Sequence, residues 1–157
     1  VNSHDELGNM AEAINANIEK TQKSLEQDSH AVSQAVQTAK SIEQGDLTAR
    51  IVENPANPQL RELKNVLNTM LDVLQEKIGS DTNEIARVFN SYTKLDFTTQ
   101  VHDAKGRVEI VTNTLGDEIK KMLHTSRNFA KELESQSKEL ENAVNTLSES
   151  SNKQASS

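Results

Sequence analysis

Apolar residues in this chain are confined to a narrow stripe, and the stripe returns. Leu7, Met10, Ile14, Ile18, Leu25, Val32, Ala35, Ala39 and Ile42 reappear 53 residues later as Leu60, Leu63, Leu67, Leu71, Ile78, Ile85, Val88, Tyr92 and Leu95, every one apolar or aromatic. The same shift carries Asn15 onto Asn68 and Asp28 onto Asp81. A repeat of this length is one supersecondary unit used more than once, each too small to bury its stripe alone. In both copies two consecutive four-residue steps, Met10 to Ile14 to Ile18 and Leu63 to Leu67 to Leu71, precede a seven-residue seam. The seam is the signature of a coiled coil. The doubled four is a stutter, which locally unwinds a supercoil and so admits two packings of one stripe; ordinary period-3.6 helix packing is the plainer reading. A third copy runs through Val108, Val111, Leu115 and Ile119 and leads into Leu133, Leu140 and Leu147, seven residues apart. The bundle seam is therefore expected at Leu63, Leu67, Leu71, Val111, Leu115 and Ile119, with the helix leaving each bundle continuing as the helix that enters the next.

The segments between the helical stretches repeat as well. "GDLTARI", Gly45 to Ile51, parallels "LDFTTQV", Leu95 to Val101, and places Asp46 on Asp96, Leu47 on Phe97, Thr48 on Thr98 and Ile51 on Val101. Antiparallel helix hairpins need only about 2–5 connecting residues, far fewer than separate Gly45 from Leu60. Parallel helices need a return path: a helix of about 15 residues is roughly 22 Å long, and an extended chain of thirteen reaches at most about 45 Å. Gly45 can end the first helix in a left-handed conformation, while Pro55 and Pro58 stiffen the return. A connector running along two helices needs anchors. Leu47 and Ile51, with Phe97 and Val101 in the second copy, are the apolar residues placed to supply them, at about 1.5–3 kcal/mol for each side chain buried.

Composition bounds what else the chain can be. It has no cysteine, which excludes disulfides and thiolate metal sites, and no tryptophan and a single tyrosine, which argue against one large core. The net charge of −7 argues against affinity for nucleic-acid backbones. No run approaches the ~18 apolar residues of a membrane span. His4, Asp5 and Glu6 are neighbours in sequence, as are His102 and Asp103. Neighbours diverge around a helix, so no metal site is expected at either place. Gly45 lacks the second glycine and the Gly-Lys-Ser/Thr ending of a phosphate loop. No Ser, His and Asp combination has triad spacing. His124 and the run Glu132, Glu134, Lys138 and Glu139 are expected on a solvated face. Asp28 and Asp81 either fix register on the seam or face water at a bundle junction.

Helix, connector with two apolar anchors four residues apart, and a second helix opening on an E-x-G motif together resemble the HAMP domain. The chain looks like consecutive HAMP units of a bacterial methyl-accepting chemotaxis receptor. Residues 1–28 resemble the second helix of one unit, with "DELG" at Asp5–Gly8 matching the family's motif at Glu6 and Gly8. Residues 29–79 and 80–126 resemble two complete units, and 127–157 the start of the signalling coiled coil. Two departures stand out: "NPQLR" and "KGRVE" occupy the acidic-motif position in the later units, and Leu95 replaces the connector glycine.

The resemblance implies an all-α, elongated chain of parallel four-helix bundles formed by a homodimer and continuing into a coiled coil. It implies a relay and not an enzyme, in a cytoplasmic segment of an inner-membrane receptor. The relay passes a conformational change from an upstream sensor or transmembrane segment to a downstream signalling domain of the same chain. No cofactor, nucleic acid or small-molecule ligand is expected in this segment. Glu149 and Gln154, flanked by small residues, are loose candidates for modification. A passive coiled-coil spacer, or the relay of a histidine kinase or cyclase, are the other readings.

Overall fold

The computed structural model describes residues 3–156. Four helices follow in order: α1 (Ser3–Glu43), α2 (Pro58–Lys77), α3 (Thr82–Thr93) and α4 (Arg107–Ser156). Among the described residues there is no strand, only one isolated antiparallel bridge pairing Asp46 with Asp81.

Each helix end follows from local chemistry. At the end of α1 the Asp46 amide donates to the Ser41 carbonyl (2.9 Å) and the Gly45 amide to the Ile42 carbonyl (2.9 Å), with Gly45 at φ +96°. That pairing is the Schellman motif, which needs a left-handed residue one place past the helix. The end of α3 repeats it: Asp96 donates to Ser91 and Leu95 to Tyr92, each at 3.0 Å, with Leu95 at φ +61°. Leu95 therefore does the glycine's work in the glycine's conformation. A left-handed leucine costs about 1 kcal/mol, and Leu95 is 79% exposed, so little burial offsets it. Leu95→Gly is expected to stabilise the fold by about 1 kcal/mol, read as a raised urea midpoint.

The α2 helix starts at Pro58, tolerated at the first helical position, behind Asn57, whose side chain accepts from the Gln59 amide at 2.8 Å. In α3, Asp81 is the N-cap, accepting from the Asn83 amide at 2.9 Å. Glu109, three residues past Gly106, reaches back to accept the Gly106 amide at 3.0 Å and so closes half of a capping box at the start of α4.

The connectors show that paired helices run parallel. From Gly45 the chain travels backwards: Arg50 meets Asp72 and Gln75, Ile51 meets Asn68, and Val52 and Glu53 meet Gln34. It arrives with the Ala56 and Asn57 amides on Asp28 (2.7 and 3.0 Å), well before the end of α1. The α2 helix then sets out in the direction of α1. The second connector does the same over a shorter path, with Gln100 between Arg87 and Asp117 and Val101 on Asn113.

Two cores result. In the first, Ala31, Leu47 (4% exposed), Ile51 (3%) and Leu71 are buried, and Ile51 shares its surroundings with Ala31 and Leu71. In the second, Ile85, Val88, Tyr92 and Val101 (3% exposed) cluster with Ile78, Phe97 and Ala104. All four connector anchors thus point inward, Phe97 less completely than the others. The early part of α1 and the far part of α4 are exposed all round.

The structure corrects the expectation of an unbroken helix from one pair to the next. The helix stops at Lys77, Gly79 takes φ +148°, and α3 begins only after the Asp81 cap. "GSDTNE", with Asp81 followed three residues later by Glu84, is a helix-start signal; the apolar seam ran over it. Asp28 and Asp81 are accordingly not equivalent. Asp28 holds the end of the first connector from mid-helix, whereas Asp81 caps a helix.

Candidate functional site: the clamped connectors and the junction between helix pairs

Each connector is held by one asparagine. The Asn68 carboxamide accepts the Ile51 amide (2.9 Å) and donates to the Ile51 carbonyl (2.8 Å). Asn113 does the same to Val101, at 2.8 and 3.0 Å. An extended backbone beside a helix has no ladder partner, and a carboxamide carries an acceptor oxygen and an NH2 donor side by side on one planar group, matched to an N–H and a C=O of the same residue. Upstream, Asp46 accepts from the Thr48 amide (2.9 Å) and hydroxyl (2.6 Å), and Asp96 repeats the turn with Thr98. The hydroxyl and amide of the following threonine hold both carboxyls below the usual aspartate value.

The clamps fix the register of the repeat, and this moves the third copy by three residues. Asn113 corresponds to Asn68, so Val108, Thr112 and Gly116 occupy the places of Leu63, Leu67 and Leu71, not Val111, Leu115 and Ile119. The burial agrees: Thr112 is 1% exposed and Gly116 is buried, while Val111 and Leu115 are 57% and 43% exposed and Ile119 is half-buried. In the same register Gly106 stands seven residues before its clamp asparagine, as Gly8 stands before Asn15. "DAKG" at Asp103–Gly106, rather than "KGRVE", is then the counterpart of "DELG", with Ala104 in the glutamate's place and packed on the second core.

Within α2 the seam also divides. Leu71 (1% exposed) is buried and Leu67 half-buried against the first connector, while Leu63, Val66, Met70 and Val73 form an outer stripe at 47–58% exposure. Alternation of threes and fours across that stripe gives it coiled-coil spacing. Glu6 and Gly8 lie exposed in the first turns of α1, with nothing within 4 Å of a Cβ placed on Gly8.

The two cores solve the same packing problem differently. Ile42 and Leu71 line one small cavity in the first pair. The shared helix ends pair Ile42 with Tyr92, not with Leu95 as the 53-residue shift had it, and the clamps pair Leu71 with Gly116; a Cβ on Gly116 would lie 2.2 Å from the Tyr92 hydroxyl. That hydroxyl donates to the Thr112 carbonyl at 2.9 Å, leaving no buried polar side-chain atom unpaired among the described residues. Burial, and then the Asp117 carboxylate, push the Tyr92 phenol above its ordinary 10.0. The folded state therefore holds its proton more tightly than the unfolded state. The stability this confers is complete below pH 10.0 and is lost as pH rises through the folded value. Because Tyr92 is the only tyrosine and tryptophan is absent, absorbance at 295 nm should show one transition above pH 10 that falls back to the ordinary value in urea.

Between the pairs lies a junction built on Ile78–Asp81. Arg50 crosses the first connector, bonded to Asp72 (3.0 Å), Gln75 (2.7 Å) and the Leu47 carbonyl (2.7 Å). Gln75 passes on to Ser80 (3.2 Å), whose carbonyl accepts from the Leu47 amide (2.9 Å). Buried Glu109 packs over Gly79 from the start of α4. None of Arg50, Asn68, Asn113 or Glu109 was singled out as a site residue by the apolar pattern. The repeat of Asn15 at Asn68 was the signal available for the clamp.

The described residues thus form parallel helix pairs with anchored return connectors and duplicated clamps. Among the described residues no group of three or more His, Asp or Glu is gathered as metal ligands. No helix of the described residues is long and apolar enough to cross a membrane. Residues 29–76 match the model of the HAMP domain, a signal-relay module of membrane receptors. No curated protein and no solved structure matched the chain.

Proposed function

We propose that the chain is a signal relay and not an enzyme, made of consecutive HAMP units that work as a parallel homodimer. In this reading residues 80–126 form a second unit after the matched one, residues 1–28 are the second helix of a unit before it, and 127–157 open the signalling coiled coil of a chemoreceptor. The segment then lies on the cytoplasmic side of an inner membrane. It takes a conformational change from an upstream sensor and hands it to a kinase-control coiled coil. The second unit is supported by its duplicated Schellman end, Asp-x-Thr turn, anchors and asparagine clamp.

The observation that carries the dimer is the unpartnered apolar stripe, Leu63, Val66, Met70 and Val73 on α2, with Val108, Val111 and Leu115 on α4. Contiguous apolar surface of this kind is covered in a working protein, and a second copy supplies the matching stripe to complete a four-helix bundle. With no native cysteine, single cysteines give a clean test. Val73→Cys and Leu115→Cys should crosslink between chains, whereas Asn65→Cys and Lys121→Cys, exposed but off the stripe, should not. Equal yields at all four would remove the dimer. In an intact receptor, Leu47→Asn separates relay from spacer: a relay changes its resting output, and a spacer loses only stability.

A further inference from the structure

The chain's covalent order and its hydrogen-bonded order differ at the junction. Covalently, α2 leads into α3. By hydrogen bonds, α1 leads into α3 and α2 leads into α4. At the end of α1 the Gly45 carbonyl accepts the Thr82 amide (2.9 Å) and the Gln44 carbonyl accepts the Asn83 side-chain amide (2.6 Å). At the end of α2 the Ile78 carbonyl accepts the Glu109 amide (3.1 Å). In each case an unpaired carbonyl at a helix C-terminus meets an unpaired donor at a helix N-terminus, and the two dipoles run head to tail, the attractive order. The close approach depends on glycine. A Cβ on Gly45 would stand 2.7 Å from Asn83 and Thr82, one on Gly79 2.1 Å from the Glu109 carboxyl carbon, and one on Gly106 2.3 Å from the Gly79 Cα.

We propose that these two end-to-end splices, α1 on α3 and α2 on α4, are the mechanical coupling between the helix pairs, so that a displacement of either helix in the first pair passes to its counterpart in the second. The covalent link Ile78–Asp81 would by itself pass motion of α2 to α3, the wrong helix for a matched response. Four residues with Gly79 at φ +148° make instead a cross-over between two splices. Asn83 serves the first splice and Glu109 the second, each as a positioning residue. The use of the coupling in signalling rests on the relay reading above, whereas the coupling itself can be read in this chain without any output domain.

The experiment is amide hydrogen exchange by mass spectrometry on the 157-residue chain, with Ile51→Ala as the disturbance in the first pair. In the parent background Ile51→Ala should speed exchange of residues 85–92 and of residues 108–116, by roughly 2- to 12-fold. Adding Asn83→Ala, which removes the bond to Gln44 and leaves the Thr82 amide on Gly45, should diminish the effect on 85–92 and leave that on 108–116. Adding Glu109→Ala should do the converse, and Glu109→Gln, which keeps an acceptor for the Gly106 amide, should retain both. Should Glu109→Ala lose its helical circular dichroism, Glu109→Asp, one methylene short of that amide, takes its place. An unchanged second pair in the parent background overturns the coupling, and an undiminished effect in the Asn83 and Glu109 variants overturns the splices as its route. A receptor without relay behaviour would leave all these exchange results standing, so the two failures are separate.

Discussion

Replacing Asn113 with leucine should cost roughly 2–6 kcal/mol, the sum for leaving one backbone N–H and one C=O without a partner beside a buried side chain. Val101 is 3% exposed and both of its backbone groups rely on the Asn113 carboxamide. Leucine has the volume but neither the donor nor the acceptor. Asn113→Asp keeps the acceptor for the Val101 amide but turns a second oxygen towards the Val101 carbonyl, so its loss should be intermediate. The first pair should be more forgiving. Its connector is also held by Gln34 at Val52 and Glu53 and by Asp28 at Ala56 and Asn57, so Asn68→Leu should cost less than Asn113→Leu. Urea unfolding gives the totals, and exchange at the Val101 and Ile51 amides places the loss. If the two leucine variants were equal, or both cost under about 0.5 kcal/mol, the connectors would be held by their apolar anchors alone.

The parts of this architecture legible in the sequence are those with a period or a length. The apolar stripe gave helices, the surplus residues after Gly45 gave parallel pairs with a return connector, and the matched "GDLTARI" and "LDFTTQV" placed Leu47, Ile51, Phe97 and Val101. All four are turned inward, Phe97 half-buried. What periodicity could not supply was the break at Ile78–Asp81, because Ile78 and Ile85 continue the seam straight through a capped helix start. Here the capping signal of Asp81 and Glu84 won over the stripe. Nor could periodicity fix the phase of the third copy, since apolar residues three apart leave Val108 or Val111 equally able to match Leu63. A polar residue decided it, because the asparagine clamp is a geometric requirement while the stripe is only a tendency. Leu95 shows the limit in the other direction: the connector glycine is missing from the sequence, yet the backbone adopts the same Schellman geometry at an energetic cost.

Writing the first core into the second gives the sharpest check on the corrected phase. If Tyr92 and Gly116 stand where Ile42 and Leu71 stand, then Gly116→Leu alone drives a side chain into the Tyr92 ring and should cost about 3 kcal/mol. Tyr92→Ile alone opens a cavity over Gly116 and frees the Thr112 carbonyl, and should cost about 2–4 kcal/mol. Together they recreate a large-on-small exchange already present in the same molecule. The double variant should therefore be more stable than the sum of the two single losses by about 2 kcal/mol, a coupling of the size found for residues in direct contact. Under the phase that the apolar stripe first suggested, Ile119 is the counterpart of Leu71 and Gly116 has no reason to couple to Tyr92. A cycle that closes additively would support that phase. A strong positive coupling would mean that the second pair keeps the first pair's backbone while inverting which helix fills its centre.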